Sequence, residues 1–476
     1  MSIRGLEALF LHALRTRSLD GFAERAHRDG QLSNEVDLRR VIDDLRQLEG
    51  LTLDAFADRF ARLGSQLPLG LVRLYFFRYF IARVVTGELR APAHDLLSRI
   101  VPDDPSCLFL LRACAIFAQW MRGDCGDPTA PLRSLTSKIQ QEERTVANAF
   151  VESMAQHTLG YVWKSLGNFR EANESFQNAL RIARLYEFYT RPIYGSALGK
   201  LAWASGQYRR GLELHSDGVT RREARQNGDW RLLIDSHLCA AKCAIDLGMT
   251  ERARGELDGA ASLLESSGET SAILRGYREL YGAQLRAAEG DRAAARRAFL
   301  DVERRFRRGD PPCRQGAMDA WIDRVELDFQ GGRLRDALTA TRALLDEAQE
   351  FGLAEARTRL LAFRARACLR ESRQLGRPTP RLRAGYDDLI ERLHLMNNPR
   401  LTFLAFADLY AFARQHLDKR EQKFWLLRLQ ALEPILERSC YETLYRDLIT
   451  DRYRDELEGE LSAFEHDLEE LQNTSD

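Results

Sequence analysis

The chain has 476 residues, of which 45% are hydrophobic and 29% charged, the ordinary make-up of a folded protein in water. Lys+Arg and Asp+Glu balance at 70 each, which argues against a protein whose main task is to coat nucleic acid or an anionic membrane. The length suits roughly two to four compact domains or one long repeat array.

The eight cysteines, at 107, 114, 125, 239, 243, 313, 368 and 440, are scattered, and most sit inside apolar helical patterns. That usage reads as a reduced, cytosolic protein with buried thiols. The N-terminus has no uninterrupted apolar core for a signal peptide. The most apolar window, Leu67–Val85, is interrupted by Arg73, Arg78 and Arg83 on different sides of a helix. It reads as a buried helix, with no membrane insertion.

In chain order, residues 1–66 suggest four short helices forming an N-terminal bundle or cap. Residues 67–150 continue as degenerate helical hairpins, with Pro131–Ala149 as one helix. The regular section covers 151–350. Here glycine recurs at Gly167, Gly206, Gly248, Gly290 and Gly332, at intervals of 39, 42, 42 and 42. Five residues after each comes a small residue: Ala172, Gly211, Ala253, Ala295 and Ala337. Four further on stands a larger apolar residue, Phe176, Leu257 or Phe299, with His215 and Thr341 breaking the rule. Glycine takes φ > 0 at no steric cost and commonly ends a helix, so each glycine marks the elbow of a helical hairpin. Residues 351–438 suggest further degenerate hairpins, with a loop at 374–381. The stretch 439–476 suggests a capping helix with an acidic tail. No stretch shows sustained two-residue alternation, so no sheet is expected.

The clearest unit is 156–183. Leu159 and Trp163 are i, i+4 neighbours before the Gly167 break, and Ala172, Phe176 and Ala179 recur at i, i+4, i+7 after it. Gly160 and Ala172 are small enough for two backbones to approach closely. With Leu159-Gly160, Trp163, Gly167, Ala172, Phe176 and Ala179 in place, the stretch resembles a tetratricopeptide repeat. The longer period resembles the long-helix variants found in bacterial peptide-pheromone receptors and in the sensor segments of some large transcriptional activators. The resemblance implies an all-α solenoid, a right-handed superhelix of antiparallel helical hairpins, that holds a partner in its concave groove.

No phosphate-cradling loop, dinucleotide fingerprint, His-Glu-x-x-His or Cys-x-x-Cys is present, so neither a cofactor nor a catalytic set is expected. His237 lies about 200° around a helix from Cys239 and cannot join Cys239 and Cys243 as a metal ligand. The nine arginines of 286–314 read as a solvated helix face, since no nucleic-acid-binding signature accompanies them. Carried over from the repeat family, the groove-facing positions are His157, Tyr161, Lys164 and Ser165; Ser196, Lys200 and Trp203; Asp235, Leu238 and Lys242; Tyr277, Leu280 and Gln284; and Asp319, Glu326 and Phe329. Lys164, Lys200 and Lys242, three of only six lysines, fall there in successive repeats. A row of flexible cations beside Tyr161, Trp203 and Tyr277 suits an extended, acidic protein or peptide segment. The oligomeric state stays open at this stage.

Trp163 should be core. Trp163→Ala is expected to cost about 3–5 kcal/mol of unfolding free energy, measured by urea denaturation. A near-unchanged midpoint would mean that the repeat register is wrong.

Overall fold

The computed structural model describes residues 129–430, apart from short connections at 142–145, 167, 187–189, 227–228, 268–270, 310–312, 351–352, 376–379, 397–398 and 416–418. The expected N-terminal bundle, the first degenerate hairpins and the acidic tail lie outside the described residues.

The described residues form helices joined by short connections, with no strand among them. They are α1 (Thr129–Gln141), α2 (Val146–Leu166), α3 (Phe169–Leu185), α4 (Arg191–Ala204), α5 (Tyr208–Ser216), α6 (Gly218–Gln226), α7 (Trp230–Asp246) and α8 (Thr250–Ser266). There follow α9 (Ala272–Ala288), α10 (Arg292–Arg308), α11 (Arg314–Gln330), α12 (Leu334–Glu350), α13 (Ala354–Leu375), α14 (Pro380–Met396), α15 (Pro399–Gln415) and α16 (Lys419–Gln430). Consecutive helices pack as antiparallel pairs. The first helix of each pair also packs on the first helix of the next, as α7, α9, α11, α13 and α15 do in turn. This is an α-solenoid of stacked hairpins.

The elbows are built alike. Gly206, Gly248, Gly290 and Gly332 have φ of 86, 70, 92 and 85°. Around each, the residue after the glycine donates its N–H to a carbonyl five residues back: Gln207 to Ala202, Met249 to Ala244, Asp291 to Arg286 and Arg333 to Asp328. That six-to-one bond, with a left-handed residue inside it, is a Schellman cap. Asn168 makes the same bond to Trp163, although Gly167 itself lies outside the described residues.

Close approach follows from the small residues. Ala172, Ala253, Ala295 and Ala337 are buried to 1% exposure or less. A Cβ on Gly160 would lie 2.5 Å from the Phe176 ring, and one on Gly199 would lie 2.6 Å from His215. Phe306 is held between Gly276 and Gly316, where a Cβ on the latter would come within 2.7 Å of the ring. Trp163 is core at 7% exposure, with the Arg133 guanidinium 4.9 Å from its ring centroid.

Two expected helices divide. Pro131–Ala149 is not one helix, because α1 ends at Gln141 and α2 starts at Val146, ahead of the boundary drawn at 151. The second helix of the 206 hairpin breaks at Asp217, which accepts from both the N–H and the hydroxyl of Thr220 and so starts α6. Between 353 and 430 the expected helices are present, those expected beyond 430 lie outside the described residues, and Pro380 and Pro399 stand at the first position of α14 and α15, where proline's missing N–H costs nothing.

At the far end the superhelix returns on itself: α13 and α14 both pack against α2. Every residue from Glu152 to Gly160 is buried, so this stretch of α2 is enclosed on all sides.

Gly290 isolates the elbow effect, since a Cβ there would meet nothing within 4 Å. Gly290→Ala should therefore cost only the left-handed backbone penalty, about 1–2 kcal/mol, read as a lower urea midpoint with an unchanged slope. No loss would show that the turn does not need glycine.

Candidate functional site: the inner wall of the solenoid

The first helices α2, α4, α7, α9, α11 and α13 stand side by side, and their inward stripes bring polar and aromatic residues together. Lys200 on α4 pairs with Asp235 on α7 at 2.7 Å, and their side chains keep 31% and 28% of their exposure. Ser196 is 3.5 Å from the same carboxylate. Burial alone would lower the Lys200 ammonium, but the acidic groups around it, Asp235 foremost, together hold the amine well above its usual value. Burial by the surrounding protein also pushes the Tyr161, Tyr277 and Tyr281 phenols up. Cys239 lies beside Asp235, and burial followed by that carboxylate raises its thiol to about 12. It is therefore protonated at neutral pH and unsuited to nucleophilic attack or metal binding.

Further along the wall, Gln284 on α9 donates to Asp323 on α11 at 2.5 Å. Arg359 on α13 reaches back to Asp319 at 3.2 Å and Asp323 at 2.9 Å. Burial works against its charge, but the three carboxylates of Asp323, Glu326 and Asp319 raise it on balance.

The expected groove residues divide into several groups. Tyr161, Lys164, Lys200 and Tyr277 are partly exposed on the first helices, as are Trp203, Lys242 and Gln284. Lys242 pairs with Asp246 at 2.8 Å and lies 5.6 Å from the centroid of Trp203, whose indole N–H donates to the same aspartate at 2.5 Å. His157 is a correction. It is 2% exposed, with Tyr161, Tyr194 and Phe176 ring centroids 4.9, 4.9 and 5.7 Å away, because α3 and α4 close over that side of α2. Leu238 and Leu280, at 1% exposure each, are also core. The side chain of Ser165 lies outside the described residues. Sequence reasoning missed Asp323, Tyr281 and Arg359. The first two lie four residues from the expected Asp319 and Tyr277, a signal that was available. Arg359 lies beyond the section where the glycine period is clear.

On the outer side, several arginines of α10 are paired. Arg296 pairs with Asp328 at 2.7 Å, Arg305 with Glu279, and Arg307 with Glu303 and Glu347 at 3.1 and 2.8 Å. The Arg296–Asp328 and Arg307–Glu347 bonds stitch neighbouring hairpins, and the other two act within one hairpin. Among the described residues no group of three or more His, Cys, Asp or Glu could hold a metal ion, and no helix is long and apolar enough to cross a membrane.

Stacked hairpins with glycine elbows around a polar inner wall define the fold of a tetratricopeptide-type α-solenoid. No protein-family model matches the chain, and no curated protein matches it. Among solved structures, a Rap protein complexed with competence and sporulation factor is similar in fold. The identity is 15%, covering 79% of this chain and 99% of that one, with a TM-score of 0.51. A signal transduction ATPase with a tetratricopeptide repeat sensor from Pyrococcus horikoshii matches at 12% identity over 91% and 72% of the two chains, TM-score 0.40. Aspartyl phosphate phosphatase F from Bacillus subtilis matches at 10% identity over 75% and 92%, TM-score 0.40. The first likeness speaks to fold alone, and the other two carry no argument.

Two buried imidazoles give the fold a pH dependence. Burial is the largest cause lowering both His157 and His215 from 6.5 to about 3. An unfolded imidazole takes up its proton as pH falls through 6.5 while the folded one resists. Stability is thus complete above 6.5 and is lost as pH falls toward 3, by up to about 1.4 kcal/mol per pH unit for each imidazole. Glu256, which His237 and Arg221 hold at about 2 against its burial, weakens the fold in the same direction only below its ordinary value of 4.5. Between pH 6.5 and 4.5 the imidazoles therefore dominate these three terms. His215→Phe should lessen the fall in melting temperature across that window, and an unchanged fall would contradict the assignment.

Proposed function

We propose that the protein is a non-enzymatic interaction or regulatory protein that holds a segment of a protein or peptide partner against the inner wall of the solenoid. One observation carries this reading: Tyr161, Lys200, Asp235, Tyr277 and Tyr281 converge from four successive first helices, partly exposed yet ringed by protein. Concave faces of repeat stacks are their usual binding surfaces. Aromatic rings with a few paired charges suit an extended backbone whose side chains alternate between pockets. A protein of the same fold has been crystallised with a bound factor, which supports such a use. A reduced, cytosolic setting fits the scattered thiols.

The partner's chemistry is refined by the ion pairs. Lys200 and Lys242 already hold Asp235 and Asp246, so an acidic segment must exchange with these carboxylates rather than meet bare cations. Such exchange favours specificity over raw affinity. A sensing role, with the signal passed toward the N-terminal helices, is the second reading. It is favoured by the return of α13 and α14 onto α2, because a ligand between these walls would alter how the ring closes.

The test replaces Lys164, Lys200 and Lys242 together with Glu and measures capture of the partner that co-purifies from the native host. Circular dichroism and melting confirm that the variant is folded. Capture should fall at least about tenfold, the scale of losing one to two charge-assisted bonds. Unchanged capture would remove the inner wall as the binding face.

A further inference from the structure

The wall between α11 and α13 is a matched pair of charged rows that ends unevenly. On α13, Arg359, Arg366, Arg370 and Arg373 fall within about 60° of one another at 100° per residue, so they form one stripe. On α11 the opposing row is Asp319, Asp323, Glu326 and Phe329. Arg359 pairs with the first two. Arg366 reaches Glu326 only at 3.6 Å. Arg370 donates to the Phe329 carbonyl at 2.7 Å and lies 5.0 Å from that ring's centroid. There the acidic row stops, because α11 ends at Gln330 and Gly332 turns the chain. Arg373 continues the stripe one turn further, past the end of the α11 acidic row.

Both Arg366 and Arg373 bury their Nε–H without any hydrogen-bond acceptor. Among the described residues no ion pair joins Arg373 to a carboxylate. Burial and Asp408 raise the Tyr386 phenol on α14, and both guanidiniums act weakly against them. The carboxylate at that place, Asp408 on α15, accepts from the Tyr386 hydroxyl at 2.9 Å. A buried N–H with no acceptor is costly. Nε is also one arm of the fork with which arginine grips a carboxylate or phosphate in two parallel bonds. Two such arms left open two turns apart on one stripe suit an oxygen-rich anion.

We propose that Arg366 and Arg373 form an oxyanion site at the C-terminal end of α13, taking a small ligand that carries a phosphate or carboxylate group. The site goes beyond the partner-groove reading and stands or falls separately from it. A free anion tests it without any protein partner.

The experiment measures the melting temperature of the full chain in increasing sodium phosphate, in an acetylated triglutamate peptide, and in sodium chloride at matched ionic strength. Wild type should be stabilised by phosphate, or by triglutamate alone, well beyond chloride. The former outcome assigns the site to phosphate-bearing ligands and the latter to peptide carboxylates. Arg373→Gln lies outside the α11 ion pairs and should keep the unliganded fold. Its apparent affinity for the effective anion should fall at least about tenfold. Arg373→Lys, which keeps the charge but loses the fork, should also bind more weakly, and it carries the comparison if the Gln variant does not fold. Equal response to all three solutes, or an anion effect untouched in both Arg373 variants, would show that water alone solvates these guanidiniums and would overturn the site.

Discussion

The structure depends on how closely two helix backbones can approach within each hairpin. A helix that must reverse within three residues and lie against its predecessor needs a left-handed residue at the turn and a small residue on each facing side. The repeated Schellman caps at Gly206, Gly248, Gly290 and Gly332 meet the first need. Gly160, Gly199 and Gly276, each under a ring of the opposing helix, meet the second. Because the same solution recurs, the hairpins stack with similar offsets, and small rotations add up until α13 and α14 meet α2. The curvature that makes an inner wall is thus a consequence of glycine placement.

The charges follow a similar logic at longer range. Lys200 meets Asp235, Gln284 meets Asp323, and Arg359 meets Asp319 and Asp323 across neighbouring first helices. On the outside Arg296 and Arg307 reach acids of the next hairpins. A chain with equal numbers of both signs can place nearly every buried charge beside its opposite, which is the condition under which charges can be taken out of water at all. The inner wall is therefore polar but internally satisfied over most of its length, and its uneven end at Arg373 stands out against that background.

Much of the fold was legible in the chain itself, because period and turn chemistry are local. The glycine spacing located the elbows, and the residues five beyond them are the buried contacts. The break at Asp217 was missed: it rests on one side chain capping Thr220, and the 42-residue glycine interval that contains it shows no trace of it. The candidate site was less legible. Tyr161, Lys200 and Tyr277 are partly exposed on the first helices, yet the partner of Lys200 sits thirty-five residues on, in another hairpin. The burial of His157 depends on Tyr194 folding over it. Such facts are tertiary, and a helical wheel drawn for one segment does not contain them.

The central claim is that the inner wall, not the stitched outer face, is where a partner sits. A photoreactive benzoylphenylalanine placed at Tyr281 on the wall, or at exposed Arg297 on α10, would decide it when irradiated in the native host and read by mass spectrometry of the adducts. The account predicts one recurrent protein or peptide adduct at position 281 and none at 297. Equal labelling at both positions, or an adduct confined to 297, would contradict it.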